Sequence, residues 1–351
     1  MARSHHIIQL LYSRRGSVSI LFALCLPVLL GLAVLSIDLT RLNLTKAELQ
    51  SAADAAALAG ARSLSDTEPP PGPSDIPYNW TAATASALNV AQSNIANAAQ
   101  IQDAIIETGY WNLQNPSLGL RPHDAYGLPA AGDLPAIRTT IAISSTQNNG
   151  PLNLFFAPIL GIDESNVQAS AIAVLPAPEG GTGFFPFAIS ECILDSLWDS
   201  DTNSPVLDGS GDPIIFRIQT GSSCLTGQWT TFDSVSNSAS YIKSLMDTGN
   251  PTELSVGDST YLVPGTKATA YKKVKNYFSG ETVPLFAVDG IVKGQSRPIV
   301  AITGFHITGA SNQGTKYVEG HFINNGLFGG LDPGTGNGLP FGVYTSPVLV
   351  K

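Results

Sequence analysis

The sequence predicts an α+β protein: an N-terminal transmembrane helix continuing into a long helix, a small α+β domain, and then a β-rich C-terminal domain. Three observations predict it. From Ser17 to Ile37 no side chain is charged, and about 21 helical residues at roughly 1.5 Å each cover a hydrocarbon core of about 30 Å. Downstream, short runs rich in Ile, Val, Thr and Tyr are punctuated by Gly and Pro, which marks strands and turns. Charged residues make up only 13% of the 351 positions, against 34 Gly and 24 Pro, the composition of a loop- and strand-rich exterior protein rather than a helical enzyme. The formal net charge of −9 argues against a nucleic-acid partner.

Taken in order, residues 1–16 read as a cytoplasmic tail, because Arg14 and Arg15 abut the span with Arg3 behind them and basic flanks stay on the cytoplasmic side. His5 and His6 form a pair without a further ligand nearby, too little for a metal site. Residues 17–37 read as the membrane span. A signal peptide would have an apolar region of about 7–15 residues followed closely by a small-residue cleavage site, whereas here Ala57-Leu58-Ala59 lies about 20 residues beyond a longer run. Pro27 sits mid-span and removes one backbone hydrogen bond, so a kink or a packing site is expected there.

Residues 38–65 continue as an amphipathic, Ala-rich helix. Leu35, Leu39, Leu42, Leu49, Ala53 and Ala56 recur on one stripe, while Arg41, Lys46, Glu48 and Asp54 fall largely elsewhere. The stripe narrows from Ala52 to Ala61, where Gly60 and its alanine neighbours offer almost no bulk. That suits close approach to another helix or to the sheet of the following domain, although Ala is also simply the best helix former.

At these residues the sequence resembles a known family. RRGSVSILFALCLPVLLGLAVLSID followed by LQSAADAAALAGA, within Arg14 to Leu64, is similar to the N-terminal region of TadE/TadG-like Flp pilus-assembly proteins. The resemblance implies a single-pass protein of the bacterial inner membrane, its N-terminus cytoplasmic and its later domains periplasmic, in the tight-adherence apparatus. It implies as partners the lipid bilayer and other Tad membrane proteins or pseudopilins, with self-association through the N-terminal helix as a further expectation. In TadE-like pseudopilins a prepilin peptidase cuts after a Gly, which points to Gly16 and Ser17 as a processing site. A Glu at the fifth mature position helps assembly, and here that position is Leu21. An unpaired charge in the bilayer is costly, and without the carboxylate the chain looks closer to TadG, a fixed anchor.

Residues 66–79, with DTEPPPGPSDIP, read as a Pro-rich linker. Residues 80–175 read as the small α+β domain: a helix from Trp80 to Gln100, strands over Ala104–Trp111, Ala136–Ile143 and Val167–Leu175, and a short apolar helix from Leu152 to Leu160. TadG-like proteins have a similar arrangement after the anchor. Pro176 to Gly183 reads as a second linker, and residues 184–351 as the β-rich domain, with one helix at about Ser236 to Asp247.

Cys25 lies in the span, where it acts as a small apolar residue. Cys192 and Cys224 remain as a pair that an oxidising compartment would join, which stabilises by roughly 3–4 kcal/mol in the chain-entropy model; two buried free thiols are the alternative. Neither has the neighbouring Cys or His of a zinc site.

The search for chemistry finds no phosphate-binding loop, no Gly-x-Ser-x-Gly elbow and no His-Glu-x-x-His helix. Asp208-Gly209-Ser210-Gly211-Asp212 is the nearest approach to the metal motif of the von Willebrand A domain found in some TadG-like chains, but it ends in Asp instead of Ser and reads better as a hairpin turn. His306 and His321, with Glu319 between them, would approach if their strands pair. Lys267, Lys272, Lys273 and Lys275, interleaved with Tyr271 and Tyr277, form a basic cluster that could meet an anionic polymer or simply a solvated face. No catalytic residue, metal ligand or cofactor is assigned. The expected function is a membrane anchor and scaffold for Flp/Tad pilus assembly and adherence; the alternatives are a membrane-anchored reader of a periplasmic ligand or polysaccharide, and a periplasmic enzyme.

Overall fold

The computed structural model describes residues 17–66, 78–126, 132–199, 204–221, 224–332, 334 and 341–350. The expected tail with Gly16, His5 and His6, and the 66–79 linker except its ends, lie outside them.

The first helix, α1 (Ser17–Ser63), is a single element of 47 residues that runs through Pro27. At about 1.5 Å per residue it is roughly 70 Å long. Its Leu- and Ala-rich composition favours helix throughout, but its surroundings change halfway. Leucines and valines from Leu21 to Leu32 are exposed, whereas Leu49, Ala52, Ala53, Ala56, Ala57 and Ala61 are buried. The helix is long and apolar enough to cross a membrane.

The buried half of α1 packs with α2 (Trp80–Gln92) on one face of an antiparallel sheet of β1 (Ile105–Asn112), β2 (Asp133–Ile143) and β3 (Val167–Val174). The strand order is Val348–Leu349, β3, β2, β1, Arg121–Pro122. Alternation along β2 divides its side chains: Ile137 and Ile141 meet the helices, while Leu134 and Ala136 join Trp111, Ile172 and Val174 in a second cluster. Alanines at 83, 87 and 91 of α2 face the alanines of α1, so the helices approach closely.

Two expectations within this region need correction. The helix from Trp80 stops at Gln92, because the Ser93 amide and the Asn94 side chain bond back to carbonyls of the last turn. Ile95–Ala96 then pairs with Ala99–Gln100 through Asn97 and Ala98, both at positive φ. The apolar run 152–160 is not one helix: Leu152–Asn153 pairs with Glu164–Ser165, and only Ala157–Leu160 winds, as a 3-10 turn.

The C-terminal region is β-rich with helices on its faces. Its main sheet has the order β5 (Phe216–Gln219), β9 (Tyr317–Phe322), β8 (Ser296–Ser311), β7 (Thr282–Val288), β4 (Phe187–Ser190), β6 (Gly227–Trp229), with Ser259–Tyr261 also pairing β8. Only the β4–β7 pairing on that path is parallel. The expected helix is α4 (Ala239–Thr248), capped by Ser238; α3 (Glu191–Leu197) and α5 (Ala268–Tyr277) were not foreseen. Phe187, Trp229 and Tyr271 form an edge-to-face cluster between sheet and α5.

Pro176 to Gly183 is stitched into the fold. Gly180–Gly181 pairs with both Leu254–Ser255 and Leu331–Asp332. A Cβ on Gly181 would lie 2.4 Å from the Gly330 carbonyl oxygen, so glycine here permits backbone approach rather than flexibility. The chain end returns to the first region: Tyr344 enters the core under α1 and α2, Thr345 N–H donates to the Pro176 carbonyl, and Val348–Leu349 extends the sheet at β3.

Candidate functional site

The most constrained polar feature of the described residues lies where α1 passes from its bare half to its buried half. Asp38 is the first charged residue after the apolar run, and it is fully buried. Its carboxylate accepts three backbone hydrogen bonds, from Phe155 at 2.8 Å, Phe156 at 2.9 Å and Ala157 at 2.8 Å. These amides open the 3-10 turn Ala157–Leu160, which has no side-chain cap of its own. Asp38 therefore caps, from 117 to 119 positions away, a turn whose first N–H groups would otherwise be unpaired.

Arg41, one turn further along α1, completes the clamp. Its guanidinium donates to the Asn153 carbonyl at 2.7 Å and to Asn97 Oδ1 at 3.1 Å, and stacks 4.5 Å from the centre of the Phe155 ring. The Asn97 amide in turn donates to Glu48 Oε2 at 2.7 Å. Burial pushes the Asp38 carboxyl up, but the three amides and the Arg41 charge together outweigh it and hold the group below its ordinary value.

The predicted packing residues divide. Leu49, Ala53, Ala56 and Gly60 lie inside the helix–sheet core. A Cβ on Gly60 would lie 3.0 Å from Ala87 Cβ, 3.1 Å from the Ala83 carbonyl and 3.1 Å from Ile137 Cγ2, so this glycine stands where α1, α2 and β2 meet. Leu42 is half-buried against the same core. Leu39 is 51% exposed and stays outside this core, because Asp38, about 100° around the helix, takes the inward position. Ser17 begins α1, and Leu21 is exposed.

Cys192 on α3 and Cys224 before β6 form a disulfide with Cα atoms 5.3 Å apart, and Cys25 is free and exposed. His306 and His321 do face one another across β8 and β9, ring centres 5.2 Å apart. Each has its own partner: His306 Nδ1 lies 2.9 Å from Thr282 Oγ1, and His321 Nδ1 lies 3.0 Å from the Phe322 carbonyl. Glu319 is bound by Arg217 instead. Among the described residues no group of three His, Cys, Asp or Glu side chains converges to hold a metal.

Asp208 to Asp212 forms the expected hairpin turn, with Leu207 bridged to Pro213 and Asp208 Oδ1 accepting from the Ser210 amide. The basic cluster lies on α5, where Tyr271 is a core residue and Lys273 pairs with Asp247 at 2.5 Å. Of the two interleaved aromatics, Tyr271 is thus structural, while Tyr277 is exposed. Sequence reasoning missed the Asp38 clamp. A lone carboxylate at the end of an apolar run reads as a boundary, and nothing in the spacing connects it to Phe155.

Comparison with known proteins places these elements. Residues 16–63 match a family model described as Flp pilus-assembly TadE/G-like. Residues 59–173 match a second, described as Tad-like Flp pilus-assembly. The two meet on α1 at its alanine-rich end. No curated protein and no solved structure matches the chain.

Proposed function

As the chain belongs to the Tad-type Flp pilus-assembly proteins, TadE/G-like over residues 16–63 and Tad-like over residues 59–173, a role in pilus assembly is its premise; we propose that it serves there as a single-pass inner-membrane anchor and scaffold. In this reading residues 17–37 span the bilayer, the N-terminus stays in the cytoplasm, and the folded regions stand in the periplasm and contact pilus or envelope components during assembly and adherence. The observation that carries the reading is the continuity of α1. One unbroken helix is bare over a membrane's thickness and then becomes the central element of a domain core, so a force or orientation imposed in the membrane is transmitted to the domain without a hinge.

The disulfide supports a periplasmic location, since such bonds persist in oxidising compartments. Leu21 in place of an acidic residue supports a fixed, TadG-like anchor over an assembled pseudopilin. The fold supports a non-enzymatic role through the way its polar groups are used: Asp38 and Arg41 bind backbone, and Glu319 binds Arg217. Partners are other Tad membrane proteins, met through the exposed face of the span.

The test exchanges residues 17–37 for an unrelated membrane span and leaves residues 38–351 intact, because α1 beyond Asp38 belongs to the domain core. Surface pili are expected to disappear at unchanged protein level. Full piliation with the foreign span would overturn the scaffold reading and leave a membrane-held reader of a ligand or polysaccharide, for which any anchor suffices.

A further inference from the structure

The tip of the 152–165 hairpin exposes a cluster of large apolar side chains. Phe155 is 64% exposed, Ile159 82%, Leu160 69% and Ile162 52%. Four such residues within eight positions form a patch rather than scattered surface apolars. Elsewhere the polar backbone of a short loop would leave such a tip free to fold back, but here the Asp38 and Arg41 bonds fix it to α1.

The position of the tip along α1 decides what it meets. α1 and β3 run side by side in one direction: Leu42 and Lys46 lie beside Val167 and Gln168, Gln50 Nε2 donates to the Ser170 carbonyl, and Gly60 abuts Ile137, which pairs with Ala173. The hairpin before β3 continues past the strand's start to Asp38. Asp38 follows directly on Ile37, the last residue of the apolar run, so the tip is attached within about one helical turn, 5.4 Å, of the surface of a bilayer spanned by residues 17–37.

We propose that Phe155, Ile159, Leu160 and Ile162 insert into the outer face of the same bilayer as a second, interfacial membrane contact. This inference rests on the reading of residues 17–37 as a span. The chemistry suits the headgroup boundary: an aromatic and three aliphatic side chains enter the acyl edge, while the Arg41 guanidinium stacked on Phe155 stays at headgroup level, as long cationic side chains do. Asp163 and Glu164, at the root of the hairpin, stay on the water side. A helix alone lets a domain rotate and tilt about its axis; a second contact displaced from the helix removes that freedom and gives the periplasmic region one orientation on the membrane.

The test uses the full chain in vesicles of phosphatidylethanolamine and phosphatidylglycerol, without reductant so that the Cys192–Cys224 bond stays closed. An environment-sensitive fluorophore is attached to the native Cys25, and, in a Cys25→Ala background, to Ile159→Cys and to Val235→Cys, the last an exposed site in the distal region. Quenching is read with nitroxide lipids labelled near the headgroup or near the chain end, and with aqueous iodide. The expected result is Cys25 quenched by the chain-end nitroxide, Ile159→Cys quenched severalfold more than Val235→Cys by the headgroup-side nitroxide, and Val235→Cys alone open to iodide. Ile159→Cys open to iodide while Cys25 is lipid-quenched would overturn the inference and leave the anchor standing. Ile159→Cys shielded from both quenchers would mean that protein, a second copy or a partner, covers the tip, and also overturns it. Cys25 beyond reach of the lipid quencher would remove the anchor reading itself, and the inference with it.

Discussion

The two halves of α1 are both apolar and both helical, yet one is bare and the other forms the centre of a core. The difference is side-chain size. From Leu21 to Leu32 the helix carries Leu, Phe and Val, bulky enough to hold another backbone away and well suited to lipid. From Leu49 to Ala61 it carries Ala and Gly, small enough that α2 and β2 approach to contact distance. Apolarity marks a segment for removal from water; bulk selects whether lipid or protein does the removing.

The sharpest way to break this comparison is to place bulk on each half in turn. Gly60→Leu is expected to destabilise the domain by about 3 kcal/mol, the upper end of the usual cost of overpacking a filled core, because the Ala83 carbonyl and Ile137 already stand at 3.1 Å from where a Cβ would go. Gly31→Leu, where a Cβ would meet no atom within 4 Å, is expected to leave domain stability unchanged. Urea unfolding in detergent micelles measures both, and equal losses would refute the size argument.

The junction between the halves gives the next effect. Asp38→Asn keeps the shape of the side chain but turns an N–H₂ toward amides that need an acceptor. Hydrogen exchange at Phe155, Phe156 and Ala157 is expected to accelerate severalfold while exchange in β2 stays as it was. Because the Asp38 carboxyl is held below its ordinary value in the folded state, its contribution is fully present above about pH 4 and is lost as pH falls through the lowered folded value. Amide protection of the hairpin tip is therefore expected to be flat from neutral pH down to about 4 and to drop in more acid solution, with no such drop in Asp38→Asn.

A small effect is also expected at Leu39. It sits on the predicted stripe but is exposed, so Leu39→Ala should change domain stability by no more than about 0.5 kcal/mol. A loss comparable to that of Gly60→Leu would mean that the stripe, not the observed burial, describes the packing.

Much of the architecture was legible because it is local. The charge-free run to Ile37, the alternation in Ala136–Ile143, the glycine–aspartate hairpin at 208–212 and the helix near Ser236 to Asp247 all state their structure within a few residues. The apolar run 152–160 shows the limit: its composition suggests a helix, but the bonds that Asp38 and Arg41 make to its backbone open it into a hairpin with a single wound turn. The amphipathic character of α5 was hidden by its lysines, which drew attention to charge while Ala270, Tyr271 and Val274 formed the buried stripe.

By itself, then, the sequence determined an apolar run long enough to cross a membrane, the helix that continues from it, the small-residue face and the pair of cysteines that join, because periodicity, residue size and composition act on neighbouring positions. Only the tertiary structure decided that Asp38 holds a loop 117 residues away, that the chain end closes the first sheet, and that Leu39 faces outward. Those outcomes depend on which backbone donors a fold leaves unpaired beside a given carboxylate, and burial makes such pairing obligatory without leaving a trace in local spacing.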